Sequence, residues 1–143
     1  GCGPSQFYFV EGEKRCTNTI SLSTTLTPHY TLARCAAAAL QMINERPGAT
    51  AIIAANDLVA IGAAGTLLDQ GVQIPADISV VGFGNTLTAE HFRVPLTTIS
   101  QPKYRRGIAA IESMEKLLAG EAVSVKRLSA ELVIRASTGR APA

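Results

Sequence analysis

Ala51 to Ala64 reads AIIAANDLVAIGAA. The run from Ala51 to Ala55 shows no alternation of polar and apolar residues, which is the mark of a short strand covered on both faces. A polar pair, Asn56 and Asp57, follows it, and after the pair comes a small-residue pattern suited to a helix. Two roles are open to the pair. A helix starting here leaves its first N–H groups without partners, and an Asn or Asp at the cap accepts from one of them, typically worth ~1 kcal/mol. The end of a buried strand is also where an α/β sheet holds its ligands.

Outward from this stretch the elements alternate. Two short β-prone pieces, Phe7 to Val10 and Ile20 to Leu22, come first. Thr27-Pro28 reads as a helix start, with Thr as cap and Pro at the first helical position, and YTLARCAAAALQMINER continues that helix to Pro47-Gly48. Downstream, Asp57 to Gln70 reads as a second helix ended by Gly71 in a left-handed cap. Ile78 to Val81 (ISVV) is another doubly buried strand, reached through Pro75-Ala76-Asp77. The loop GFGNTLTAEHFRVPL leads to a short extended piece, Thr97 to Ile99, and Gln101-Pro102 opens a third helix that stops at Gly120. The apolar positions Ile108, Ile111, Met114, Leu117 and Leu118 of that helix share one face, and a last strand is expected from Leu128 to Arg135. Strand and helix alternating over short connections give an α/β fold, a parallel sheet flanked by helices, with its functional edge at the carboxyl ends of the strands. Asn56-Asp57 and Gly82 to Asn85 fall at that edge.

Composition narrows the function classes. With 143 residues and 47% hydrophobic content the chain is expected to form one domain with a real core. No run approaches the ~20 apolar residues of a membrane span, and no basic start followed by a long apolar run marks a secretory signal. Cys2, Cys16 and Cys35 fit neither a metal knuckle nor a disulfide framework, so reduced thiols and a cytoplasmic setting are expected. A net charge of +2 does not argue for a nucleic-acid surface, and Lys103 to Arg106 (KYRR) reads as a solvated helix face. GFG after a strand resembles the opening of a dinucleotide loop, but Leu87 stands where a third small residue is needed. His29 and His91 have no spaced partners for metal or nucleophile work. No catalytic residue, metal site or cofactor is expected.

AIIAANDLVAIGAAGTLLDQGVQIPADISVVGFGNTLTAEHFRVPLTTISQP resembles the C-terminal half of the effector domain of lactose-repressor (LacI/GalR) family transcription regulators. There the runs "aANDxxAxGaxxxlxxxGxxvPxdisVvGfDd" and "PxLTTixQP" recur at similar spacing, and Glu131 to Thr138 resembles the closing "eLviReST". The resemblance covers about residues 28 to 139 and leaves 1–27 poorly matched and 140–143 as a tail. It implies one lobe of a type I periplasmic-binding-protein fold, with crossover elements that belong with a second lobe. It also implies a sugar or sugar-like effector in the cleft, a homodimer, and DNA read by a separate helix-turn-helix. Neither that motif nor the family's "RxxGf" segment is found in this sequence, so the chain alone is not expected to read DNA.

By correspondence, Asn56 matches the family's cleft asparagine, whose amide can donate to and accept from a hydroxyl. Asp57 then takes the structural role at the first helical turn. Tyr30 falls where the family often carries an aromatic against the ligand, and Gly84-Asn85 replaces the family's Asp pair, removing a carboxylate that accepts from sugar hydroxyls. The resemblance further places Leu58, Ile61 and Gly65, on one helix face, with Phe92 and Val94 at the dimer interface. Gly65 is expected there to admit a partner's backbone. The Ile108–Leu118 face is expected to pack on the other lobe. Two other classes stand beside this one: a periplasmic sugar-binding protein of the same fold, and a small α/β enzyme, for which no nucleophile, base or phosphate loop is found at the strand ends.

Overall fold

The apolar run around Ile52 forms strand β3 (Ala49–Ala54), at the centre of a six-stranded sheet. The computed structural model describes residues 48–140, six helical residues between Ala37 and Asn44, and the backbone of β1 (Phe7–Glu11) and β2 (Ile20–Leu22). Much of the expected first helix, with Tyr30, His29 and the three cysteines, lies outside the described residues. Downstream come α1 (Asp57–Asp69), β4 (Ser79–Phe83), the single turn α2 (Leu87–Glu90), β5 (Thr97–Ser100), α3 (Lys103–Leu118) and β6 (Glu131–Val133). The strand order is β2-β1-β3-β4-β5-β6.

The expected parallel core is present: β3, β4 and β5 are parallel, with Ile52 opposite Val80 and Gly82 opposite Thr98. Its flanks differ, because β1 pairs antiparallel with β3, and β6 antiparallel with β5. The β5–β6 pairing has a physical reason in the chain path. Ser100, which ends β5, lies opposite Glu131, which starts β6, so everything between them leaves the sheet and returns to the same point. Coverage of the sheet is correspondingly uneven. Ile52, Ala54, Val80 and Thr98 are buried beneath α1, whereas Ile53, Val81 and Ile99 on the opposite face are only half-buried. No residue of α3 is buried, so the face expected to pack on another lobe stands exposed and is not folded back onto the sheet.

Helix α1 is apolar nearly all round, as befits a buried helix. Val59, Ala60, Gly62, Ala63, Ala64 and Leu67 are all buried with Ile52, Val80 and Leu96, and Ala39 joins the same core from the preceding helix. Complete burial of a side chain such as Leu67 contributes ~1.5–3 kcal/mol. The helix ends as its sequence implies. Gly71 takes φ +84, its N–H donates to Leu68 O at 3.1 Å and that of Val72 to Leu67 O at 3.0 Å. Both bonds satisfy carbonyls that the helix end leaves open. Gly120 closes α3 in the same way, at φ +74 with Glu121 N–H on Lys116 O.

Strand β6 is shorter than the expected Leu128–Arg135, because the chain beyond it changes task. Ser137 is 1% exposed, and its hydroxyl accepts from Thr97 N–H at 2.8 Å while donating to Val80 O at 2.6 Å. Its own carbonyl accepts from Val80 N–H, and its N–H donates to Pro95 O. One small side chain thus closes the gap between the amino ends of β4 and β5. Ser137→Ala leaves a buried N–H and a buried carbonyl short of a partner, each worth about 1–3 kcal/mol. The variant is therefore expected to lose about 2–4 kcal/mol of unfolding free energy in a urea titration, and a loss below half a unit on that scale would show that water replaces the hydroxyl.

Candidate functional site

Because β3, β4 and β5 are parallel, their carboxyl ends share one edge, and the chain leaves that edge at Ala55-Asn56, Gly84-Asn85 and Ser100-Gln101. The polar pair divides its labour there. Asn56 is the N-cap of α1: its backbone is extended, with φ −158, and its Oδ1 accepts from Val59 N–H at 2.9 Å. Its amide nitrogen takes no partner among the described residues, so the half-buried side chain keeps a donor to offer.

Asp57 is turned the other way, inward, and is 1% exposed. Its Oδ2 accepts from the backbone N–H of Thr86 at 2.7 Å and from the Thr86 hydroxyl at 2.9 Å. Its Oδ1 accepts from the Thr98 hydroxyl at 2.5 Å. Helix α1, the turn after β4 and strand β5 therefore meet on one carboxylate. Gly82 makes the approach possible: a Cβ there would lie 2.7 Å from Leu96 Cδ2 and closer still to Asp57 Oδ1. The glycine of the VGFG run is thus a packing requirement of the sheet, not part of a phosphate loop.

Gly84 and Asn85 follow with positive φ, +134 and +50. The first value is one that side-chain-bearing residues rarely adopt, and the second is a left-handed position that Asn tolerates. Gly84 N–H donates to Ile99 O at 2.8 Å, and Asn85 N–H to Thr98 Oγ1 at 3.3 Å. The Asn85 side chain is also engaged, with Nδ2 donating to Ser100 Oγ at 3.3 Å and Oδ1 accepting from Arg135 Nη2 at 2.8 Å. The structure thus brings together Asn56, Gly84 and Asn85 of the expected ligand-binding residues, while Tyr30 lies outside the described ones. Thr86, Thr98, Ser100 and Arg135 belong to the same network and were not singled out in the sequence. Only the resemblance of the closing strand pointed toward Arg135, without giving it a role.

The residues expected at a dimer interface lie along α1 from its first turn and in the segment between α2 and β5. Leu58 is 49% exposed, and Ile61, Phe92 and Val94 are partly buried against the core. The space beside Gly65 is filled by the chain's own Phe92 ring and Arg93, whose Nη2 donates to Gly65 O at 2.6 Å and to Asp69 at 2.8 Å. In the single chain Gly65 thus has the Phe92 ring and the exposed Arg93 side chain as its neighbours, at ordinary contact distance.

Chemically, the sheet edge can hold a polar ligand by amide and hydroxyl groups. Among the described residues no group of His, Cys, Asp and Glu could bind a metal ion. No helix of the described residues is long and apolar enough to cross a membrane. The periplasmic binding protein-like domain family matches residues 11–138. Among similar proteins, the HTH-type transcriptional repressor PurR of Vibrio atlanticus is 47% identical over 70 residues, covering 49% of this chain and 20% of that protein. A LacI family transcriptional regulator from Bifidobacterium animalis subsp. lactis superposes with a TM-score of 0.74 at 32% identity, over 79% of this chain and 42% of that one. The lac repressor dimer bound to operator and the anti-inducer ONPF superposes with a TM-score of 0.69 at 34% identity, over 76% and 38%. The chain spans less than half the length of each.

The carboxylate at the centre of the edge gives a direct test. Asp57→Ala strands the Thr86 N–H and frees two hydroxyls, and is expected to cost about 2–5 kcal/mol. Asp57→Asn is expected to cost less, because its amide oxygen still meets the Thr86 N–H and the Thr98 hydroxyl can turn to accept. Equal losses for the two variants in chemical denaturation would place the role of Asp57 in its shape, not in its hydrogen bonds.

Proposed function

The chain belongs to the periplasmic binding protein-like domain family, in the form carried by LacI-family regulators, and from that premise we propose that it supplies one wall of the effector cleft of a transcription regulator. The observation that carries this reading is the placement of Asn56 and the Gly84-Asn85 turn at the carboxyl edge of the parallel strands, with the start of α1 tied through Asp57 to Thr86, the residue after the turn, and to Thr98. Such an edge is where open α/β sheets take ligands. Amide donors and a neighbouring hydroxyl suit a small polyhydroxylated effector, a sugar or sugar derivative, in line with the resemblance of the AND run.

A cleft ligand is normally enclosed on both sides, and one wall must overcome the association cost nearly unaided. This chain alone is therefore proposed to bind effector weakly, with full affinity requiring the facing lobe; DNA contact is proposed to belong to a helix-turn-helix elsewhere in the regulator. Gly84 adds to the weakness, and Gly84→Asp is proposed not to rescue binding unless the facing lobe is supplied, since one wall remains one wall and a side chain at φ +134 is strained. Calorimetry with pentoses, hexoses and their phosphates tests the proposal on this chain and on a version extended upstream. Binding is expected only in the extended protein, and micromolar binding by the short chain would overturn the two-wall reading.

Self-association is proposed through Leu58 with the rims of Ile61, Phe92 and Val94, the patch that the resemblance assigns to a dimer. Leu58 is the informative position because it is half-exposed and contributes least to the chain's own core. A symmetric patch doubles every substitution. Leu58→Glu is thus expected to shift the species seen by sedimentation toward monomer without loss of fold, and an unchanged dimer would exclude the patch.

A further inference from the structure

We infer that Arg135 fixes the hydrogen-bonding sense of the turn at residues 84–85, so that this cleft edge presents donors and selects an effector bearing an anionic oxygen. The inference rests on the effector-cleft reading above and names the class of ligand taken by that site. A guanidinium carries N–H donors and no acceptor. With Arg135 Nη2 2.8 Å away, the Asn85 amide has to turn its oxygen toward Arg135 and its nitrogen away, where Nδ2 meets Ser100 Oγ at 3.3 Å. One amide hydrogen is then left for a ligand.

Neither partner is at liberty to rearrange. The Arg135 side chain is 15% exposed; its Nη1 donates to Leu96 O at 2.9 Å and its Nη2 lies 3.7 Å from Glu90. Its backbone N–H donates to Thr97 Oγ1 at 2.9 Å. Asn85 is held at φ +50 by its own N–H on Thr98. The neighbouring groups share the same sense. Gly84 has no side chain, the Asn56 oxygen is engaged by Val59 N–H, and both oxygens of Asp57 are buried and bonded.

Two pairs of charged side chains stand at this edge, Arg135 with Glu90 3.7 Å from its Nη2, and Arg106, hydrogen-bonded to Gln101, with Glu131, which lies opposite Ser100 in the β5–β6 pair. Within each pair the signs are opposite, so hydrogen-bond sense, more than net field, separates one ligand from another. A neutral hydroxyl can accept from Asn85, but its own proton finds no acceptor on the Asn56, Asp57 and Asn85 side chains, whose oxygens are engaged, and has to reach Glu131 on the neighbouring strand. A carboxylate or phosphate oxygen needs no such partner and forms a charge-assisted bond, roughly twice as strong as a neutral one.

Nuclear magnetic resonance of the isotope-labelled chain, which registers weak binding, tests this with glucose, gluconate and a hexose phosphate as probes. Gluconate and the phosphate are expected to bind about tenfold more tightly than glucose and to shift the Asn85 side-chain amide signals. Arg135→Met is expected to move those signals before any sugar is added and to narrow the preference. Asn85→Asp keeps a partner for Arg135, so it serves where Arg135→Met does not fold, and it is expected to turn the preference toward glucose. Glucose binding as well as the acids, or Asn85 signals indifferent to Arg135→Met, would overturn the inference while leaving the cleft standing. Absence of shifts with every probe, in this chain and in one extended upstream, would defeat the cleft reading itself and the selection with it.

Discussion

Asp57 is buried without a cationic partner among the described residues, and its charge is met by one backbone N–H and two hydroxyls. Burying a carboxylate is costly unless its oxygens are fully bonded, so the groups around it are constrained in turn. Gly82 has to lack a side chain, Thr98 has to carry a hydroxyl on the buried face of β5, and Thr86 has to bring its backbone to the start of α1. The Thr98 hydroxyl also accepts from Asn85 N–H, which carries the constraint one residue further, into the turn. The carboxyl edge of the sheet, the proposed cleft wall, is thus positioned by a side chain that does not itself face solvent.

Local chemistry made much of this fold legible. The apolar run before Asn56, the glycine stops at Gly71 and Gly120, and the strands around Val80 and Thr98 follow from rules that act over a few residues, and all are present in the structure. The assignment within the polar pair was legible only in part: Asp57 does take a structural role, but through Thr86 and Thr98 rather than the helix dipole alone, and the cap itself belongs to Asn56. Ser137 and Arg135 were not legible. Their partners, Val80 and Asn85, lie 57 and 50 residues away, and neither side chain sits in a pattern that a local rule detects. The single turn α2 was hidden in the same way, being too short to show a period of its own.

Helix α3 shows where local chemistry and global packing part. Its apolar stripe was read correctly, yet Ile111 is 64% exposed and Leu117 61%. The stripe predicts burial, and the out-and-back path between Ser100 and Glu131 explains why the sheet does not provide it. Lys126 donates to Glu112 at 2.5 Å and tethers the returning irregular segment to the helix; it also holds the Glu112 carboxyl below the usual carboxylate range. That contribution is present above the ordinary carboxylate pKa and fades as the pH falls through the lowered one. Both groups are half-exposed, so the tether guides the excursion more than it stabilises it. Such a face is the proposed seat of the facing lobe.

The turn at residues 84–85 shows how two departures from a family pattern depend on each other. A carboxylate at position 84 would need backbone angles that this turn does not have, and at position 85 it would pair with Arg135 and leave the amide donor absent. With glycine first, the chain adopts φ +134 and delivers Gly84 N–H to Ile99 O. With asparagine second, the left-handed position is tolerated and the side chain bridges Ser100 to Arg135. Gly84 is suited to a φ that side chains rarely adopt, and Asn85 to the left-handed position that follows it.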